Sequence, residues 1–315
     1  MDHKIYFVVP YFGEFPNYFQ LWLDSCGRNK EFNWLLLTDC SINQLNIPRN
    51  VIVEKLTLKD IENIIQTNLD FKITLNSPYK LCDFRPIYWM ILDHYKFDYN
   101  FWGYCDIDLI FGRLSLFITE DLLIKYDRIY SEGHLSLMSS SPISKFAFVL
   151  DGSKLNWIKV YQDEKNIGFD EHHGVNRIWN NQNLPFYKNT SEILDIDPQF
   201  KLFSLTHLPS NQKNQFFYVD TGRVLQGYFK SNKRIIVKEF AYIHIQKRKM
   251  PVNFKGFTKD SFMIDHKGFR DINLLPKCKK DLDFAKSKIN NSLLLKKNKI
   301  KRIVRFYKNK IIYGI

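Results

Sequence analysis

The chain has 315 residues, 45% of them hydrophobic and 16% aromatic, and a formal net charge of +13. That composition reads as a globular protein able to bury one large core or two smaller ones. The charge is uneven: residues 285–315 hold ten Lys or Arg and no acid, which leaves +3 for residues 1–284 and argues against a nucleic-acid-binding body.

The opening apolar run, 5–10, is too short for a signal peptide or a membrane span, which predicts a protein that is not exported. The five cysteines, Cys26, Cys40, Cys82, Cys105 and Cys278, show no Cys-x-x-Cys or finger spacing. Neither a zinc site nor a disulfide framework is expected, and a reducing cytoplasm fits. Residues 5–10, 34–38 and 51–56 read as strands, and 18–28, 59–69 and 86–95 as helices. Asn17 is placed to cap the first helix, and the Asp83 carboxylate lies just before the third. Strands alternating with helices predict an α/β fold, a mixed, mostly parallel sheet covered on both faces, whose ligands bind beyond the carboxyl ends of the strands. Three stretches fall there: Pro10-Tyr11-Phe12-Gly13, Thr38-Asp39 and Cys105-Asp106-Ile107-Asp108.

The last of these is the most informative. In the run 101–112, two acids interrupt an apolar, aromatic stretch closed by Gly112. In an extended strand, residues i and i+2 point the same way, so Asp106 and Asp108 are expected to present two carboxylates on one side, an arrangement suited to a hard divalent cation shared with substrate phosphates. Two other Asp-x-Asp pairs occur. Asp281 and Asp283 read as a solvated helix start, and Asp195 and Asp197, before Pro198, as a turn.

From about Ser131 the alternation gives way to shorter segments rich in Asn, Ser and aromatics, expected to form an acceptor-side half on the same sheet. No linker marks a second domain. The expected organisation is a domain over 1–250, an extension over 251–284 packed on it, and a tail over 285–315. No Gly-x-Gly-x-x-Gly or P-loop is present, which argues against a dinucleotide enzyme or an NTPase. In the tail, Ile289, Leu293, Ile300, Val304, Tyr307 and Ile311 recur at helical spacing among Lys and Arg. This reads as a basic amphipathic helix lying on an anionic membrane surface, with docking on the protein's own core or a disordered tail as alternatives.

An Asp-x-Asp at a strand end in such a domain resembles the metal motif of GT-A-type glycosyltransferases. The segment 78–86, about 23 residues before the acids, looks like the part of such enzymes that meets the nucleotide, and the stretches 8–13 and 169–176 complete the pattern. Over residues 4–250 the ensemble is similar to an uncharacterised bacterial family of glycosyltransferase-like proteins found with capsule and lipopolysaccharide genes. The resemblance implies a GT-A-like, Rossmann-like fold and a metal-dependent transferase that moves a sugar from a nucleotide-diphosphate donor, UDP-linked for preference, to a surface-glycan acceptor. Mn²⁺ or Mg²⁺ is the implied cofactor, and a lipid-linked acceptor at the inner face of the cell membrane the implied setting, with the protein cytoplasmic and peripherally attached.

It also implies roles. Asp108 is the direct metal ligand, and Asp106 binds ribose or completes the site through water. His244 is a third ligand, with a core histidine hydrogen-bonded to backbone as the alternative, and Lys247, Arg248 or Lys249 holds the leaving diphosphate, with an exposed turn as the alternative; the glycine of the usual His-x-x-Gly-x-x-Lys pattern is missing. Pro10, Tyr11, Phe12, Thr38, Asp39, Lys80, Asp83 and Arg85 line the nucleotide, with a helix cap and an internal ion pair as the alternative for Asp83 and Arg85. Sugar transfer needs a carboxylate at the acceptor or the anomeric carbon, and Asp170 and Glu171 could serve either an inverting or a retaining course, with plain loop carboxylates as the alternative. His134, His172 and His173 receive no role, and Trp157, Trp179 and Tyr187 stack on sugar rings or, more commonly, pack in the core. Two other classes use the same features: a metal-dependent nucleotidyltransferase or phosphohydrolase, and a non-enzymatic protein binding membranes or anionic polymers through its basic tail.

Overall fold

The computed structural model describes residues 3–171, 173–197, 204–206, 210–246, 249–253 and 260–282. The chain divides into two units, Met1–Thr190 and Ser191–Ile315, a division the expected boundary at 250 does not mark.

The first unit is built on a seven-stranded sheet. Its strands are β1 (Ile5–Pro10), β2 (Phe32–Thr38), β3 (Val51–Lys55), β4 (Phe101–Cys105), β6 (Arg128–Glu132), β7 (Leu135–Ser139) and β8 (Phe186–Tyr187), in the order β3-β2-β1-β4-β7-β6-β8. A short strand, β5 (Leu109–Phe111), follows β4. The pairs β3·β2, β2·β1, β1·β4 and β6·β8 are parallel; β4·β7 and β7·β6 are antiparallel. The sheet is therefore mixed and mostly parallel. Continuous burial of Trp34, Leu35, Leu36 and Leu37 in β2 is the mark of a strand covered on both faces.

The main helices are α1 (Phe19–Arg28), α2 (Leu58–Gln66), α4 (Trp89–His94), α5 (Glu120–Lys125), α7 (Trp157–Gln162) and α8 (Val175–Asn181), with single turns of helix at α3 (Leu81–Phe84) and α6 (Pro142–Lys145). Helix α2 starts at a Thr57–Asp60 capping box and buries Ile61, Ile64 and Ile65, the i, i+3, i+4 stripe that faces a core. Helix α1 follows Tyr18 rather than an Asn17 cap and has no side-chain cap. At Gly103 a Cβ would stand 2.3 Å from the Ser136 carbonyl oxygen, so only glycine lets β4 approach β7 this closely.

The second unit is not a continuation of that sheet. Strands β10 (Gln215–Asp220), β11 (Arg223–Phe229), β12 (Ile235–Phe240), β14 (Val252–Asn253), β15 (Phe262–Asp265) and β16 (Gly268–Asp271) form a separate six-stranded sheet in the order β12-β11-β10-β15-β16-β14, antiparallel except at β14·β16. This corrects the expectation of a single sheet. The two-residue turn Thr221-Gly222, both at positive φ, joins β10 to β11 with the twist a tight hairpin needs. Strands β9 (Ile193–Asp195) and β13 (Tyr242–His244) pair in parallel. Asp195 thus lies in a buried strand, not the turn its neighbour Pro198 predicts. Asp281 lies in a short 3-10 turn, Lys279–Asp281, where it accepts from the Lys277 and Cys278 amides at 2.7 and 2.9 Å, and those bonds hold its carboxyl below the usual range. Asp283 and the tail 285–315 lie outside the described residues. Among the described residues, no helix is long and apolar enough to cross a membrane.

Candidate functional site

In the first unit the chain runs outward from β1 through β2 to β3 and then returns to β4 on the other side of β1. The strand order therefore reverses between β1 and β4, and the crevice beyond their carboxyl ends is where open α/β sheets bind ligands. Beyond β1, the Tyr11 amide donates to the Leu37 carbonyl at 2.9 Å, and the Gly13 amide reaches Asp39 Oδ1 at 3.3 Å. Pro10, Tyr11 and Phe12 are partly exposed and Asp39 is exposed. Thr38 differs: it is fully buried and its Oγ1 accepts from the Cys40 amide at 3.1 Å, so the nucleotide contact expected of it has no solvent-facing atom to make it.

Strand β4 ends at Cys105, one residue before the acids, so Asp106, Ile107 and Asp108 form the turn into β5. The strand geometry expected to align the two carboxylates does not hold. Instead the Asp106 amide donates to the His134 carbonyl at 2.9 Å, in the β6–β7 turn, and the two side chains differ in exposure: 25% at Asp106, while Asp108 is buried at 5%. The Asp108 charge also acts on the phenols of Tyr11 and Tyr18. Burial raises the pKa of both; at Tyr11 the Cys40 and Asp108 charges add to it, and at Tyr18 Asp108 does.

Arg85 links Asp106 to the 170 segment. Its Nη2 donates to Asp106 Oδ1, its Nη1 donates to Asp170 Oδ2 at 2.8 Å and to the Gly133 carbonyl, and its guanidinium lies 5.0 Å above the Tyr104 ring. Burial works against the Arg85 charge, but Asp106 foremost, with Cys82 and then Asp170 behind it, raises its pKa well above the ordinary value. One cation shared between two carboxylates does not fully compensate both. Asp170, 2% exposed, has its pKa pushed up to about 7, first by burial and then, against the pull of Arg85, by the neighbouring Glu171 charge. Glu171 is exposed, and a Cβ added at Gly133 would stand 2.1 Å from its Oε1.

Lys80 and Asp83 are entirely buried. The Lys80 ammonium donates to Asp83 Oδ2 at 2.9 Å and to the carbonyls of Val160 and Lys165 at 2.7 and 2.8 Å. Asp83 accepts from the Ile167, Gly168 and Phe169 amides at 2.9, 2.7 and 2.8 Å. Neither side chain offers an atom to a nucleotide. Together they clamp the loop that leads into Asp170, the internal-ion-pair alternative for Asp83, with Lys80 rather than Arg85 as its partner. The sequence signal was Lys80 and Asp83 at i, i+3 within a helical turn, which by itself reads as an exposed pair.

In the second unit, His244 ends β13 and stands opposite Asp195 of β9 in the parallel register. His244 Nδ1 and Asp195 Oδ1 are 2.7 Å apart, both side chains nearly buried. The sequence pattern points to no site role for Asp195. Lys247 and Arg248 lie outside the described residues, and Lys249 is exposed. Of the aromatics considered for sugar stacking, Trp179 is buried, and Trp157 packs edge-on against Phe71 and Phe148.

A family model described as a family of unknown function, DUF6625, matches residues 7–273, and the chain belongs to that family. No curated protein matches the chain. Among solved structures it is similar to the galactosyltransferase LgtC in complex with donor and acceptor sugar analogues, at 13% identity over 61% of this chain and 75% of that one, with a TM-score of 0.33. It is also similar to a glycosyltransferase involved in glycosylation of the major capsid of PBCV-1, at 10% identity over 61% and 85% with a TM-score of 0.33. A third is mouse xyloside xylosyltransferase 1 in its apo form, at 10% identity over 63% and 89% with a TM-score of 0.36.

Proposed function

We propose that this protein is a metal-dependent glycosyltransferase of the GT-A type, taking a nucleotide-diphosphate sugar, UDP-linked for preference, and passing the sugar to a bacterial surface-glycan acceptor of the capsule or lipopolysaccharide kind. The observation that carries the reading is the paired acids of the β4–β5 turn at the strand-order reversal, the position at which doubly wound sheets hold nucleotides.

The donor set fits a hard cation. Asp106 and Asp108 offer carboxylate oxygens, the ligands Mg²⁺ and Mn²⁺ take beside substrate phosphates. Because Arg85 already engages Asp106, the buried Asp108 is assigned the metal and Asp106 the ribose or a metal-bound water. His244 is the proposed third ligand. A bound cation would supply charge neutralisation at the departing diphosphate. The chain's own residues do the rest: Tyr11, Phe12 and Asp39 border the nucleotide, Arg85 supplies a fixed positive charge beside the acids, and Lys247 and Arg248 hold the leaving group. For the acceptor, Glu171 is exposed and so is the carboxylate able to meet an incoming hydroxyl, while Asp170, close to neutral in pKa and tied to Arg85, sets its surroundings. The basic segment 285–315 is the proposed attachment to the inner membrane face, where lipid-linked acceptors are presented.

The test is release of UDP from a panel of UDP-sugars with Mn²⁺, for the natural chain and Asp108→Ala. Metal-dependent UDP release lost in the variant is expected. Phosphate or pyrophosphate release without any sugar transfer contradicts the reading and favours a phosphohydrolase or nucleotidyltransferase.

A further inference from the structure

The Asp195–His244 pair carries a consequence for the proposed metal site. The parallel register of β9 and β13 sets the two residues side by side, and the backbones are locked there: the Ile196 amide donates to the His244 carbonyl at 3.0 Å, and the Thr206 amide to the Asp195 carbonyl at 2.8 Å. Both carboxylate oxygens of Asp195 are held. Gln246 Nε2 donates to Oδ1 at 2.7 Å, and the Thr206 hydroxyl donates to Oδ2. The imidazole meets a carboxylate whose orientation is fixed independently of it.

An ionised carboxylate only accepts hydrogen bonds. With Asp195 ionised, His244 Nδ1 at 2.7 Å is the donor, and in the neutral form of the ring the lone pair then lies on Nε2. A carboxylate behind one nitrogen of a histidine is the arrangement that orients metal-binding histidines and raises their basicity. We infer that Asp195 is a positioning residue that holds His244 in the Nδ1-protonated form and so makes Nε2 the metal-binding nitrogen. This rests on the assignment of His244 as a ligand in the proposed donor site. A role confined to joining β9 and β13 predicts no effect on metal affinity.

Two readouts test it. Nitrogen-15 shifts of His244 in the metal-free natural protein should show protonated Nδ1 and unprotonated Nε2. An Nε2-protonated ring overturns the inference without recourse to any variant. Mn²⁺ binding, followed by the paramagnetic resonance of the free ion, is then compared among the natural chain, Asp108→Ala, His244→Ala and the isosteric Asp195→Asn. Loss of binding in Asp108→Ala and His244→Ala, with a dissociation constant roughly 10–100-fold weaker in a folded Asp195→Asn, supports it. Unchanged affinity in Asp195→Asn, with Asp108→Ala still inactive in binding, overturns the positioning role and leaves the donor site standing. No Mn²⁺ binding by the natural chain overturns the donor-site reading itself, and this inference with it.

Discussion

Replacing Asp170 with asparagine changes how stability depends on pH, and the size of the change follows from the site. In the folded protein burial moves this carboxyl from 3.8 to about 7 against the pull of Arg85. Between those values the folded protein keeps a proton that the unfolded chain has released. Stability from this group is therefore fully present below about pH 4, falls as pH rises, and is lost above about pH 7. At about 1.4 kcal/mol per pH unit the loss amounts to roughly 4 kcal/mol. The side-chain amide introduced by Asp170→Asn has no such proton to lose. Urea unfolding of both proteins at intervals from pH 4 to pH 8 should show the natural chain losing roughly 4 kcal/mol relative to Asp170→Asn across that window. A difference constant to within about 1 kcal/mol would mean that Arg85 keeps Asp170 ionised throughout, and would refute the argument that one guanidinium cannot serve two carboxylates in a buried setting.

Other outcomes follow from the same contacts. Asp83→Ala leaves a buried Lys80 without its counter-ion and three loop amides without their acceptor, at a cost of about 3–5 kcal/mol in urea unfolding; a cost below about 1 kcal/mol would show that the clamp does not hold the 165–169 loop. Gly133→Ala places a methyl 2.1 Å from Glu171 Oε1, a flexible chain end that can move aside, so turnover should fall several-fold with stability unchanged to about 1 kcal/mol; unchanged turnover would remove Glu171 from the acceptor site. Removing residues 285–315 takes away ten basic residues, and sedimentation with anionic vesicles should then fall sharply at low salt while UDP binding stays the same; equal sedimentation would contradict membrane attachment by the tail.

Much of the first unit was legible because its strands are covered on both faces and read as unbroken apolar runs. β1 falls on 5–10 as expected, and β2 and β3 lie within two residues of the expected limits. The helices of that half carry a clear 3.6-residue stripe, as α2 does with Ile61, Ile64 and Ile65. The second sheet was not legible as a separate unit, because its antiparallel hairpins follow β8 without any Pro- or Gly-rich linker and carry mixed polar and apolar residues. At the site, charge inside an apolar run singles out Asp106 and Asp108 in the sequence, but does not show the turn that separates their environments. Charged pairs within a helical turn read as solvated, which hid the buried Lys80–Asp83 clamp. Asp195 was hidden for a different reason: a nearby proline outweighed the short Ile193-Leu194 run, and its partner His244 is 49 residues away in sequence, a pairing that only the β9·β13 register brings about.

The most direct test of the central claim is calorimetric titration of UDP into the purified protein with and without Mn²⁺, beside Asp108→Ala and with GDP as the control nucleotide. UDP binding is expected to require the metal, to be weaker for GDP, and to disappear in Asp108→Ala while that variant unfolds at the same urea concentration as the natural chain. A well-folded natural protein that binds neither nucleotide under any of these conditions would contradict that claim.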